Sequence, residues 1–186
     1  MQAHWDRIIQ SLSAMGCLDR IGLRPAASMS EIEDLESHLN VILPSSLKAF
    51  LSIHDGQDEK MGYGLAGGAQ LLPVKGIRQN WDMWRSIDED AMNADCARFM
   101  ASDPEGFIKP MYTNRLWIPL THDWGGNHIG LDFDPDEKGS SGQVIRFGRD
   151  EDTKRLLTGA FEDFVCNLVS SVVASQWNGE YLAFEV

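Results

Sequence analysis

Positive charge is scarce in this chain: 16 lysines and arginines stand against 28 aspartates and glutamates, for a net charge of −12. A field of that sign repels nucleic-acid phosphates and anionic membrane surfaces, and it speeds encounter with basic partners. Cysteine is scarcer still. Cys17, Cys96 and Cys166 are odd in number, far apart and without CxxC spacing. That argues against a disulfide framework or a cysteine-ligated zinc, and for a reducing compartment. No stretch approaches the roughly 18 apolar residues of a membrane span. The opening MQAHWDRIIQSLSAMG lacks a basic segment followed by an apolar run, so no secretory signal is expected and a cytoplasmic location is. GxSxG, Walker A, HExxH and GxGxxG are all missing, and the glycines of GYGLAGG lack a strand–turn–helix context.

What is present is enough for one domain with a continuous core: 186 residues, 43% hydrophobic. Trp5, Ile8, Ile9, Leu12 and Met15 recur at helical spacing and predict an amphipathic helix stopping near Gly16. Ser28 and Glu31 form a possible capping box before a second helix with Ile32, Leu35 and Leu39 inward. Pro44 suits the first position of a third helix, with Leu47, Phe50, Leu51 and His54 on one face and Gly56 as its stop. GYGLAGG and LLPV read as short strands or a loop between strands. Ile77, Trp81 and Trp84 predict a helix with two tryptophans turned inward. Residues 86–106 read as an accessory helix and loop.

Leu116 to Leu120 reads as a strand that Pro119 places at an edge or terminus. His128 to Phe133 alternates, with Ile129, Leu131 and Phe133 on one face and Gly130 and Asp132 on the other. Gln143 to Phe147 is its antiparallel mate across the polar loop DPDEKGSSG. A last helix starts near Thr158, with Phe161, Phe164, Val165, Leu168 and Val172 buried. The tail from Gln176 to Val186 fits a final strand. The sum is an α+β chain.

Candidate chemistry is thin. His54-Asp55 and His122-Asp123 are the two HD pairs that a metal-dependent hydrolase would need, but His54 is better explained as a cap or satisfied core histidine. Asp132, Asp134, Asp136, Glu137 and Gly139 suggest a calcium loop, yet Gln143 holds the position where an EF-hand needs its bidentate acid, and Pro135 is foreign to that loop. Trp117, like Trp81 and Trp84, sits on a stripe expected to be buried. Trp124, between polar residues in HDWGGN, is either a folded-back plug or an anchor for a partner.

The ordered pieces Ile32-Glu33-Asp34-Leu35-Glu36, Leu43-Pro44, His54-Asp55-Gly56, Trp117-Ile118-Pro119-Leu120, Gly125-Gly126-Asn127 and Asp132-Phe133-Asp134-Pro135, with Gly142-Gln143-Val144 and the Phe161-x-x-Phe164 helix, resemble the SUKH superfamily of Smi/Knr-like domains. The resemblance covers residues 28–172. It implies a single α+β domain, with helices packed on a twisted antiparallel sheet, and no catalytic machinery, metal or cofactor. On this reading residues 1–27 are a helical extension, 28–175 the domain and 176–186 a tail packed on it. Bacterial members resemble immunity proteins that neutralise toxins such as nucleases or deaminases, and fungal relatives act as regulatory partners in cell-wall signalling.

The expectation drawn from this is a non-enzymatic protein-binding module, most simply an immunity protein whose partner is a toxin domain with a basic surface. A regulatory or scaffold module is the alternative, and a hydrolase using the HD pairs a more distant one. Contacts are expected at Asp123, Trp124, Asp132, Asp134, Asp136 and Glu137, with Asp150, Glu151 and Asp152 as a second acidic cluster.

Overall fold

Apolar residues at helical spacing do form the first helix. In the computed structural model, which describes residues 1–58 and 64–184, α1 spans Gln2–Ala14 and buries Trp5, Ile8 and Leu12. The Trp5 ring lies 4.5 Å from Phe50, and its indole N–H donates to the Phe50 carbonyl at 3.2 Å. A short α2, Leu18–Ile21, ends at Gly22 in the left-handed region. The expected capping box opens α3, Met29–Leu39. The Glu31 N–H donates to Ser28 Oγ at 3.2 Å, and the Ser28 N–H donates to Glu31 Oε2 at 2.8 Å. These bonds satisfy helix-start donors that otherwise have no partner. Ser28→Ala is expected to lower stability by about 1 kcal/mol, read by urea denaturation at unchanged m-value.

The third helix corrects three expectations. α4 is Ser45–Leu51, and Pro44 is its N-cap rather than its first helical residue, with an extended ψ of 140°. Helical geometry ends at Ser52, so His54 lies beyond the helix and not on its face. Nor is Gly56 the helix stop. Its φ is +64°, and a Cβ there would stand 2.6 Å from the Leu71 carbonyl oxygen, so the position answers to close backbone approach. That carbonyl belongs to β1, Gln70–Leu71. Of the stretch GYGLAGG, Gly62 and Tyr63 lie outside the described residues.

Helix α5, Val74–Arg85, buries Ile77 and Asn80, whereas Trp81 and Trp84 are only half-buried. α6, Glu89–Cys96, is N-capped by Asp88 and buries none of its residues. The loop expected after it contains a strand instead, β2, Ala101–Asp103. Then come β3 (Trp117–Pro119), β4 (Thr121–His122), β5 (Asn127–Asp132), β6 (Gln143–Gly148) and β7 (Thr153–Thr158). The last of these runs through residues the sequence left unassigned and ends at Thr158, near which the final helix was expected to start.

A five-stranded sheet has the order β2-β7-β6-β5-β3. Pro119 therefore does lie on an edge strand. The β5–β6 hairpin is antiparallel in the expected register, with Asn127 opposite Gly148 and Asp132 opposite Gln143. The sheet is nevertheless mixed, because β2 runs parallel to β7. Alternation along β5 does not separate core from water, since both faces are covered from His128 to Asp132.

The closing helix, α7, is Phe161–Ala174, with Phe164, Val165, Leu168 and Val172 buried as expected. The tail forms a hairpin rather than one strand: β8 (Gln176–Trp177) pairs antiparallel with β9 (Leu182–Ala183). The fold class is α+β. Its residues fall into two compact units, one of Met1–Lys75 with Glu162–Val186, the other of Gly76–Phe161. In the second, Ile108, Trp117, Ile145 and Phe147 form a buried cluster against which Phe107, Met111 and Leu156 pack. No helix among the described residues is long and apolar enough to cross a membrane.

Candidate partner-binding site

The β5–β6 hairpin sorts the nine expected contact residues into two groups. Asp123 and Trp124 precede β5, and Asp150, Glu151 and Asp152 follow β6, so these five share the Asn127–Gly148 end of the pairing. Asp132 ends β5, and Asp134, Asp136 and Glu137 lie in the loop at the opposite end. Five strand steps at about 3.4 Å separate the ends by about 17 Å. One continuous acidic surface is not what the fold makes of these residues.

At the Asn127 end, Asp123 organises its own turn. It accepts from the Gly125 N–H at 2.8 Å, the Asn127 N–H at 2.9 Å and Asn127 Nδ2 at 2.8 Å. Partial burial works against its charge, but the bonds from Asn127 and Gly125 outweigh it and hold the carboxyl below its usual range. Asn127 Nδ2 also donates to Asp150 at 3.1 Å, and the Asp150 N–H donates to Asn127 Oδ1 at 2.9 Å. One amide thus ties the two turns together. Glu151 approaches Arg146 at 3.9 Å, and Asp152 is exposed.

Trp124 is the outward-facing member of this end. It is 59% exposed, its φ is +66°, and its ring stands edge-on to His122 at 4.9 Å. His122 stacks in turn on His128 at 5.6 Å. Burial drives the His128 pKa down to about 4, so this imidazole is neutral at physiological pH. Its Nδ1 pairs with the Thr121 carbonyl at 2.6 Å.

At the other end the expectation needs correcting. Asp132 has no exposed surface and so has none to offer a partner. It accepts from Gln143 Nε2 at 2.8 Å and from the Asp134 N–H at 2.9 Å. Burial raises its pKa despite those bonds. Asp134 is half-buried and ion-paired with Lys109, and Asn114 Nδ2 donates to it at 2.8 Å. Burial opposes its charge, but Lys109 and Asn114 prevail and keep its carboxyl low. Both carboxylates serve the loop. Asp136 and Glu137 remain available, lining an open cleft of about 640 Å³ with Met100, Ala101, Ser102, Glu105, Gly106, Pro110 and Lys138.

Of the two HD pairs, the first is engaged locally. His54 Nδ1 pairs with the Arg24 carbonyl at 2.8 Å, and Asp55 accepts from the Val74 N–H at 2.7 Å and meets Arg24 at 3.4 Å. Among the described residues no three His, Cys, Asp or Glu side chains gather as a metal site.

Sequence reasoning missed the β2 side of the cleft, because the short Ala-Ser-Asp stretch carries no strand signal. It also missed Lys154. That side chain is fully buried, with its ammonium 5.8 Å from the Tyr112 ring and 6.0 Å from the Trp117 ring. It donates to the Glu151 carbonyl. Burial brings its pKa down to about 8, against the pull of Asp152 and Glu151. The one signal in the sequence is a lysine at the second place of a Thr-Lys-Arg-Leu-Leu-Thr strand.

Residues 26–167 match the model of the SMI1 / KNR4 family (SUKH-1). The chain is 32% identical over 160 residues to the "Cell wall biosynthesis/cell cycle regulator smi1" of Schizosaccharomyces pombe, which covers 81% of this chain and 32% of that protein. It is 27% identical over 190 residues to the "Glucan synthesis regulatory protein" of Neurospora crassa, covering 86% and 35%. Against the "Cell wall assembly regulator SMI1" of Saccharomyces cerevisiae it is 27% identical over 186 residues, covering 83% and 37%. The chain thus spans about a third of the length of these relatives, which are named as regulators and not as enzymes. With the helices, the Pro119 edge strand and the β5–β6 hairpin in place, the match over 26–167 gives the identity of the fold: the chain belongs to the SMI1/KNR4 family.

Proposed function

We propose that this chain is a regulatory protein-binding module of the kind found in fungal regulators of cell-wall synthesis, acting by contact with other proteins. The observation that carries this reading is the likeness over 81–86% of the chain to relatives named as wall or glucan-synthesis regulators. The same relatives favour regulation over toxin neutralisation, which neither the family match nor these proteins' names support. The net charge of −12 suits a basic partner under either reading.

Trp124 is the proposed anchor. A large aromatic held at positive φ is costly backbone, and such strain is kept where the side chain has a task. Two effects then separate. Trp124→Gly relieves the strain, so its melting temperature is expected to equal or exceed that of the parent, while partner binding falls. Immobilised parent and Trp124→Gly proteins, exposed to fission-yeast extract, would be compared by quantitative mass spectrometry. The proposal expects proteins of wall synthesis to be captured by the parent and depleted at least fivefold by the variant. Equal capture by both would remove Trp124 from the interface, and capture of no wall-synthesis protein would count against the regulatory reading.

A further inference from the structure

We propose that the cleft along the outer edge of β2 takes a short, extended, basic segment of a protein partner, added to the sheet as a further strand. This rests on the protein-binding reading and names the chemistry of one partner surface.

The backbone supplies the first argument. Strand β2 stands last in the order β2-β7-β6-β5-β3, so one of its edges is unpaired among the described residues. The Ala101 N–H donates inward to the Asp152 carbonyl at 3.0 Å, and Ala101 is in register with Thr153. Groups alternate along a strand, so the N–H and C=O of Ser102 point to the open side. An unpaired edge of this kind is a template for an added strand. Ser102 is also one of the residues that line the cleft, so the free backbone pair and the open volume coincide. Pro104 follows the strand immediately and has no N–H to give, which keeps any added pairing short.

The side chains specify the occupant. Glu105, Asp136 and Glu137 line the cleft with one cation, Lys138. The Lys138 ammonium is directed to the Glu105 backbone carbonyl at 3.2 Å, and none of the three carboxylates has an ion-pair partner among the described residues. Met100, Ala101 and Pro110 add apolar wall. An extended peptide shows side chains alternately to opposite faces, so one with lysine or arginine at alternate positions and apolar residues between them meets both chemistries. An acidic peptide or a nucleic-acid backbone would meet like charge.

The test uses a phage-displayed library of random linear peptides selected on the intact chain. Selected peptides are expected to carry alternating basic residues and to lose affinity at least tenfold on the double variant Asp136→Lys, Glu137→Lys. The control, Asp150→Lys, whose side chain is tied to Asn127 rather than to β2, is expected to change affinity less than threefold. Amide exchange at Ser102 should slow at least tenfold in the bound state, a readout that diffuse charge attraction would not give. No enriched peptide, peptides without basic residues, equal losses in the cleft and control variants, or an unchanged Ser102 amide would each overturn the cleft. Equal losses would leave the protein-binding reading standing, since that reading is tested by capture through Trp124.

Discussion

Gly130→Ala should destabilise the chain by about 3 kcal/mol or more and lower its melting temperature by about 10 °C. Gly130 sits in the middle of β5, paired with Pro119 on one side and Ile145 on the other. A Cβ there would stand 2.1 Å from the Ile118 carbonyl oxygen and 2.9 Å from Phe147 Cε1. The first contact is with backbone, which no rotamer change can relieve. Either β3 must part from β5 or the central strand must bend, and both open the cluster of Trp117, Ile145 and Phe147. Gly159→Ala is the matched control, because a Cβ at that position meets nothing within 4 Å. Calorimetry of both variants decides the point: similar melting temperatures for the two would contradict the packing described for β5.

Lys154→Met should be stabilising at neutral pH, and its advantage over the parent should shrink by about 2 kcal/mol between pH 7 and pH 9.5. Burial lowers the folded-state pKa of Lys154 to about 8 from an ordinary 10.5. Below pH 8 the folded chain carries a poorly solvated ammonium while the unfolded chain carries a solvated one, so the full penalty is present. Between pH 8 and 10.5 the unfolded chain binds a proton that the folded chain does not, and the parent gains stability as pH rises. Methionine has no proton to lose and keeps much of the apolar volume. Burial also raises the Tyr112 phenol and the Cys17 thiol. They resist ionisation in the fold and push stability downward in alkali, which is why the difference between the two proteins is the quantity to follow. A difference that stays constant from pH 7 to pH 9.5 would mean that Lys154 is solvated.

The parts of the fold that could be read from sequence are those held by local rules. Ser28 and Glu31 announce α3 because a capping box is complete within four residues. Pro119 announces an edge because a missing N–H is intolerable elsewhere in a sheet. Ile129 and Leu131 with Ile145 and Phe147 mark the hairpin through alternation. What escaped depends on partners distant in sequence. β2 is short and largely exposed, and is a strand only because Ala101 to Asp103 lie beside Thr153 to Arg155. β7 hides behind Lys154, a charge that reads as surface until Tyr112 and Trp117 are seen around it.

The site divides in the same way. Trp124 is exposed, which its sequence context left open between a folded-back plug and an anchor. Asp132 is not, because its register opposite Gln143 turns it inward, and Asp134 is claimed by Lys109. Acidic spacing alone cannot distinguish a carboxylate that shapes a loop from one displayed to a partner. The two that line the cleft, Asp136 and Glu137, differ from Asp132 only by where the loop leaves the sheet.

Regulation through protein contact can be put to the test by exchange within a relative. In fission yeast, the stretch of smi1 that matches this chain over 160 residues would be replaced by the present sequence, in parent form and with Trp124→Gly. Growth under cell-wall stress, with chimera abundance measured in the same cells, is the readout. The parent chimera is expected to support growth above that of a strain lacking the stretch, and Trp124→Gly to lose the support at equal abundance. A parent chimera that accumulates normally but gives no more growth than the deletion would contradict regulation through protein contact.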